Sequence, residues 1–68
     1  MAFRWKQLGK KLRDFRESAN MGLRETARDI PMSSSTLSRL ERGHPCTVEQ
    51  LLTITGWWAI DPMEFWKP

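Results

Sequence analysis

A proline at position 31, with a serine two residues later, forces a corner into the middle of this 68-residue chain. Proline brings no N–H of its own and disfavours the α region for the residue before it. A helix arriving through Leu23, Ala27 and Ile30 must therefore stop there. Those three residues are spaced i, i+4, i+7, which puts them on one helix face. Beyond the corner Ser33 is a good N-cap, its hydroxyl able to accept an orphan amide of the next turn. A second short helix is expected from about Ser34 to Arg42, with Leu37 and Leu40 inward and Gly43 placed to end it. Ser34, Ser35, Ser38 and Arg39 are then left facing outward near its start. A short helix whose leading face carries hydrogen-bonding groups and an arginine suits the major groove of DNA.

The chain before and after this stretch supplies what the two helices pack on. Trp5, Leu8, Leu12, Phe15 and Ala19 form one apolar stripe on a first helix, roughly Trp5 to Ala19, with Lys6, Lys10, Lys11, Arg13 and Glu17 opposite. Gly9 weakens that helix intrinsically and is expected to admit the close approach of a neighbour. Asn20 suits a left-handed helix end, and Gly22 is an acceptable N-cap for the helix that follows. After the loop His44-Pro45-Cys46, the run Thr47-Val48-Glu49-Gln50 fits a capping box and starts a fourth helix. Its inner face is expected to hold Val48, Leu51, Leu52, Thr55 and Trp58, with Trp57 partly exposed. Asp61-Pro62-Met63-Glu64 starts a fifth helix, Asp as cap and Pro in the first position.

Composition limits the alternatives. Sixty-eight residues make one domain with a small core. A hydrophobic fraction of 40% with four tryptophans argues for a folded chain. The lone Cys46 excludes an internal disulfide, and His44 and Cys46 lack partners for a metal site. No metal and no cofactor is expected. With no membrane-length apolar run and no signal peptide ahead of the first helix, the chain is expected in the cytoplasm. The net charge of +3 is asymmetric: residues 1–44 carry ten Lys/Arg against five Asp/Glu, residues 45–68 one against three. Basic character thus accompanies the two-helix corner, as phosphate binding would require.

Against this background the chain resembles the phage-repressor and Cro-like helix-turn-helix regulators, the XRE family. Ala27 matches the alanine of the first motif helix. Ser33, Ser35, Leu37, Ser38, Arg39, Leu40, Glu41 and Gly43 match the serine-rich run that leads through an arginine and a glutamate to glycine. The likeness extends from Leu8-Gly9 to Asp61–Phe65. It implies an all-α, compact five-helix, lambda-repressor-like domain over residues 1–68, with the motif in helices 2 and 3. It also implies an Arg16–Glu41 ion pair that holds the recognition helix on the first helix. The family's turn commonly carries Gly where this chain has Pro31, so the corner is expected to be built differently. Between the last two helices Gly is usual; Ala59 is expected to strain or reshape that turn.

The resemblance further implies which side chains meet DNA. Arg39 is the leading base-reading residue, since a guanidinium pairs bidentately with guanine O6 and N7; Ser34 and Ser35 occupy the other base-contacting positions. Thr36 and Ser38, with Arg24, Arg28 and Arg42, are expected on phosphates. Trp57 and Trp66 exceed what so small a core needs and mark a surface for a second copy or another protein. The function expected is a sequence-specific, double-stranded-DNA-binding transcriptional regulator. It would be a small phage, prophage or bacterial repressor, acting as a homodimer on a palindromic operator. The alternative is a protein-interaction module on the same fold, an antitoxin or adaptor using the tryptophan surface. No phosphate loop, cysteine–histidine constellation or convergent carboxylate pair points to an enzyme, and no catalytic residue is assigned.

Overall fold

The computed structural model describes residues 2–68. Four α-helices run α1 (Trp5–Ser18), α2 (Leu23–Asp29), α3 (Ser34–Glu41) and α4 (Val48–Trp57). A single 3₁₀ turn follows at Pro62–Phe65, and two short strands, β1 (Ala2–Phe3) and β2 (Trp66–Lys67), pair antiparallel. The expected fifth helix is therefore not formed. Asp61 caps as expected, its Oδ1 accepting the Met63 amide at 2.9 Å. Four residues, however, leave no room for a ladder of i→i+4 bonds. The chain instead turns extended at Trp66 and pairs with the N-terminal strand, Phe3 opposite Trp66. The Arg4 amide adds a 2.7 Å bond to the Phe65 carbonyl. This pairing was not expected, because two-residue strands carry no periodicity to read.

The core joins Leu8 and Leu12 of α1, Ile30 of the corner, Leu37 and Leu40 of α3, Ile54 of α4, Ile60 and Phe65. Two expectations about the inner faces fail. Val48 is 72% exposed and Leu52 57%, while Ile54 is fully buried beside Thr55. The inward stripe of α4 runs Leu51, Ile54, Thr55, Trp58; Leu52 lies one residue, or about 100°, off that stripe and turns outward. Phe15 of α1 and Ala19 just beyond its end are exposed rather than core. Phe15 covers itself by stacking on Trp58, centroids 5.5 Å apart. Thr26 went unforeseen as a core residue because it is polar. It is wholly buried, its hydroxyl donating to the Gly22 carbonyl at 3.0 Å.

Three helices stop by one device. Asn20 (φ 55°), Gly43 (φ 88°) and Ala59 (φ 55°) are left-handed. Each is followed by a residue whose amide bonds back into the last turn: Met21 to Arg16, His44 to Arg39, Ile60 to Thr55. These are Schellman closures, which satisfy carbonyls a helix end leaves open. Ala59 holds the position that glycine takes most easily. The corner at Pro31 uses no left-handed residue. Ile30 is extended (φ −91°, ψ 131°), as the residue before proline should be. The Met32 amide then bonds the Ile30 carbonyl at 2.6 Å, a three-residue turn.

One polar contact ties these pieces together. Arg16 of α1 donates from Nε to Glu41 Oε2 at 2.6 Å and from Nη2 to Oε1 at 2.9 Å. Its Nη1 donates to the Met21 carbonyl at 2.9 Å. Only 14% of the Arg16 side chain and 7% of Glu41 remain exposed. The hydrogen bond to Glu41 raises the Arg16 pKa despite the opposing effect of burial. Each of the three guanidinium nitrogens thus has an acceptor.

Ala59→Gly should stabilise the fold by about 1 kcal/mol by removing a left-handed Cβ, seen as a higher urea midpoint at unchanged slope. Arg16→Met or Glu41→Gln alone should cost about 3 kcal/mol, since each strands a partner out of water. A double-mutant cycle should return a coupling above about 1 kcal/mol; a value near zero would show that the contact adds nothing to stability.

Candidate nucleic-acid interface

The surface of interest is the outward side of α3. Ser33 starts the helix, its Oγ accepting the Thr36 amide at 3.1 Å. Leu37 and Leu40 are buried, so the opposite side, with Ser34, Ser35, Ser38 and Arg39, looks outward. Ser35 and Arg39 are exposed and one turn apart; Ser34 and Ser38 are half-buried beside them. The Thr36 hydroxyl lies 2.9 Å from Ser33 Oγ, so it is partly engaged in the cap.

Three shallow hollows meet along this helix. The central one is lined by Leu23, Arg24, Ser34, Ser35, Ser38, Arg39 and Arg42, bringing the start of α2 against the face of α3. A second, beneath the corner, is lined by Arg24, Arg28, Met32 and Ser34 among others. The third lies toward α4, where Thr36 and Arg39 face Pro45, Cys46, Thr47 and Gln50. Arg39 therefore stands on the ridge between the first and third hollows. Every residue expected to meet DNA lines one of the three.

Arg24, Arg28, Arg39 and Arg42 are all exposed. Among the described residues the ion pairs are Lys11–Glu64, Arg13–Glu17 and Arg16–Glu41, so none of the four has a carboxylate within 4.0 Å. The nearby Glu25 is turned to the start of α2, its Oε1 accepting the Gly22 amide at 3.3 Å. The patch is thus a set of free guanidinium groups interleaved with short hydroxyl side chains. Such a patch suits a polyanion, and its short central side chains leave room for close approach of the helix.

The wall toward α4 was not assigned a role from sequence. Thr47 and Gln50 form a reciprocal capping box there, with both bonds at 3.2 Å. The capping-box spacing announced that helix start; its closeness to Arg39 is a tertiary fact. Burial pushes the Cys46 thiol up, which keeps it protonated at neutral pH. Trp57 and Trp66 lie elsewhere, at the end of α4 and in β2, 48% and 42% exposed. Among the described residues no group of three His, Cys, Asp or Glu side chains is placed to hold a metal ion, and no helix is long and apolar enough to cross a membrane.

No curated protein and no solved structure matches the chain. The family described as a helix-turn-helix domain does match, over residues 7–56, from the first turns of α1 almost to the end of α4. The match takes in the whole corner and both helices that form it, consistent with the likeness to XRE regulators. The chain belongs to the helix-turn-helix domain family, whose members are in general DNA-binding regulators.

Proposed function

We propose that this protein is a sequence-specific regulator of transcription that binds double-stranded DNA with α3 in the major groove, and that it acts as a small repressor of phage, prophage or bacterial type. The observation that carries the reading is the convergence of four unpaired arginines on the serine-lined face of one short helix. Ser34, Ser35 and Arg39 are assigned to base edges. Arg24, Arg28, Thr36, Ser38 and Arg42 are assigned to phosphates. Repression needs nothing more than occupancy of a promoter, and no chemistry is asked of these residues.

A homodimer on a palindromic operator completes this proposal. Of the large apolar side chains that stand exposed among the described residues, all but Phe15 come after α3: Val48, Leu52, Trp57, Met63 and Trp66. An interface there would set two recognition helices about 34 Å apart, one DNA turn. The same exposed groups favour a second reading, an antitoxin or adaptor that holds a different protein. Tight protein capture with weak, salt-labile and sequence-independent DNA binding would support that alternative.

Two arginines separate reading from gripping. Arg39→Ala should cost about 1–3 kcal/mol on operator DNA and relax preference at one base pair per half-site. Arg28→Ala should weaken binding to all sequences alike and lower the salt slope by about one unit per half-site. Titrations of both variants over a salt series, on DNA selected from a random pool and on unrelated DNA, distinguish these outcomes. Equal losses for Arg39→Ala on both DNAs would reassign it to phosphate and leave reading to the serines or to DNA shape.

In sedimentation, the wild-type chain should associate weakly and Trp66→Ala more weakly still. A chain that stays monomeric at high concentration and on operator DNA would remove the dimer from the proposal.

A further inference from the structure

Gly9 lies within regular helix, where glycine costs about 1 kcal/mol relative to alanine, and no turn requires it. Its reason is found on α3. A Cβ at Gly9 would stand 2.8 Å from the Glu41 carbonyl oxygen and closer still to that of Leu40. The backbone of α1 therefore touches the last turn of α3 directly. One turn earlier on α1, a Cβ at Gly43 would lie 3.1 Å from Lys6 Cα, a second place where main chain meets main chain. Two turns later, Arg16 holds the Glu41 carboxylate. The C-terminal end of α3 is thus seated on α1 at three successive levels.

Contacts of this kind are stiff. A side chain can yield by changing rotamer, whereas two packed backbones part only if a whole helix moves. We propose that Gly9 is a positioning residue for sequence reading: it sets how α3 sits on α1, and so where Ser35 and Arg39 stand in the groove. This rests on the DNA-reading function proposed above. Recognition groups must be held to within about 0.5 Å. A methyl group at Gly9 would have to open its gap to Glu41 from 2.8 Å, and its still shorter gap to the Leu40 carbonyl oxygen, to the 3.4 Å at which ordinary contact begins. Phosphate contacts from Arg24 and Arg28 come from α2 and long flexible side chains, and they tolerate such a shift.

The test compares Gly9→Ala and Arg16→Lys with Ile54→Val, a core methyl deletion on α4 that leaves the α1–α3 seat alone. Each is titrated, at a temperature where circular dichroism shows it folded, against a duplex selected by the wild-type protein and against an unrelated duplex. Gly9→Ala should lose roughly tenfold on the selected duplex while keeping its affinity for the unrelated one and its salt slope. Ile54→Val should keep both affinities. Should Gly9→Ala fail to fold, Arg16→Lys decides, since it loosens the same seat without adding volume and should show the same selective loss. Variants that keep the wild-type ratio between the two duplexes would make Gly9 a packing residue only and overturn the inference. A wild-type protein that selects no sequence at all would overturn the reading function, and this inference with it.

Discussion

The bidentate contact between Arg16 and Glu41 is the constraint on which the exposed helix depends. α3 is eight residues long, far below the length at which a helix persists alone in water. It exists because both of its ends are fixed. Ser33 and the proline corner hold its start; the Schellman closure at Gly43 and the Arg16–Glu41 pair hold its end. A buried ion pair is a weak source of net stability, because desolvation offsets most of the attraction. Its value here is geometric. The guanidinium fork meets Glu41 in one orientation and spends its remaining amine on Met21, so α1, the α1–α2 loop and α3 are oriented by one side chain.

That arrangement explains what could be read from sequence and what could not. Helix starts and stops were legible because their chemistry is local. Ser33, Thr47 and Asp61 each cap the residues two or three positions on, and Asn20 and Gly43 each close the turn just before them. Rotational phase was less legible. Val48 and Leu52 satisfy an amphipathic pattern as well as Ile54 does, and only the placement of α4 on the core decides between them. The β1–β2 clip joins residues more than sixty positions apart and has no local signature at all. At the candidate interface, outward placement followed from Leu37 and Leu40 being inward. The nearness of Arg24 and of the α4 cap to Arg39 did not, because it depends on how three helices meet.

The two departures from the usual pattern of relatives behave differently, and backbone geometry says why. Pro31 replaces a residue that favours positive φ, and the corner responds by dispensing with positive φ altogether. Ile30 takes the extended conformation that proline imposes, and this directs its side chain fully into the core. The substitution is thereby absorbed into packing. Ala59 has no such route. The Ile60 amide must reach the Thr55 carbonyl, at 2.8 Å, to close α4, and only a left-handed residue between them allows it. The backbone therefore keeps the conformation and carries the strain of a Cβ in it.

Electrostatic arrangement follows from the same economy of contacts. Three of the five cations of α1 are paired, Arg16 with Glu41, Lys11 with Glu64 and Arg13 with Glu17, while Lys6 and Lys10 have no carboxylate partner among the described residues. Lys11 also lies over the ring of Phe65, 5.8 Å from its centroid, and so ties the 3₁₀ turn to α1. The arginines of α2 and α3 have no such partner: Glu41 is taken by Arg16 and Glu25 accepts the Gly22 amide, while the exposed Asp29 pairs with none of them among the described residues. Four guanidinium groups around the corner, Arg24, Arg28, Arg39 and Arg42, are therefore left without a carboxylate partner among the described residues. For a chain carrying only +3 overall, this grouping concentrates guanidinium charge beside the outward face of α3.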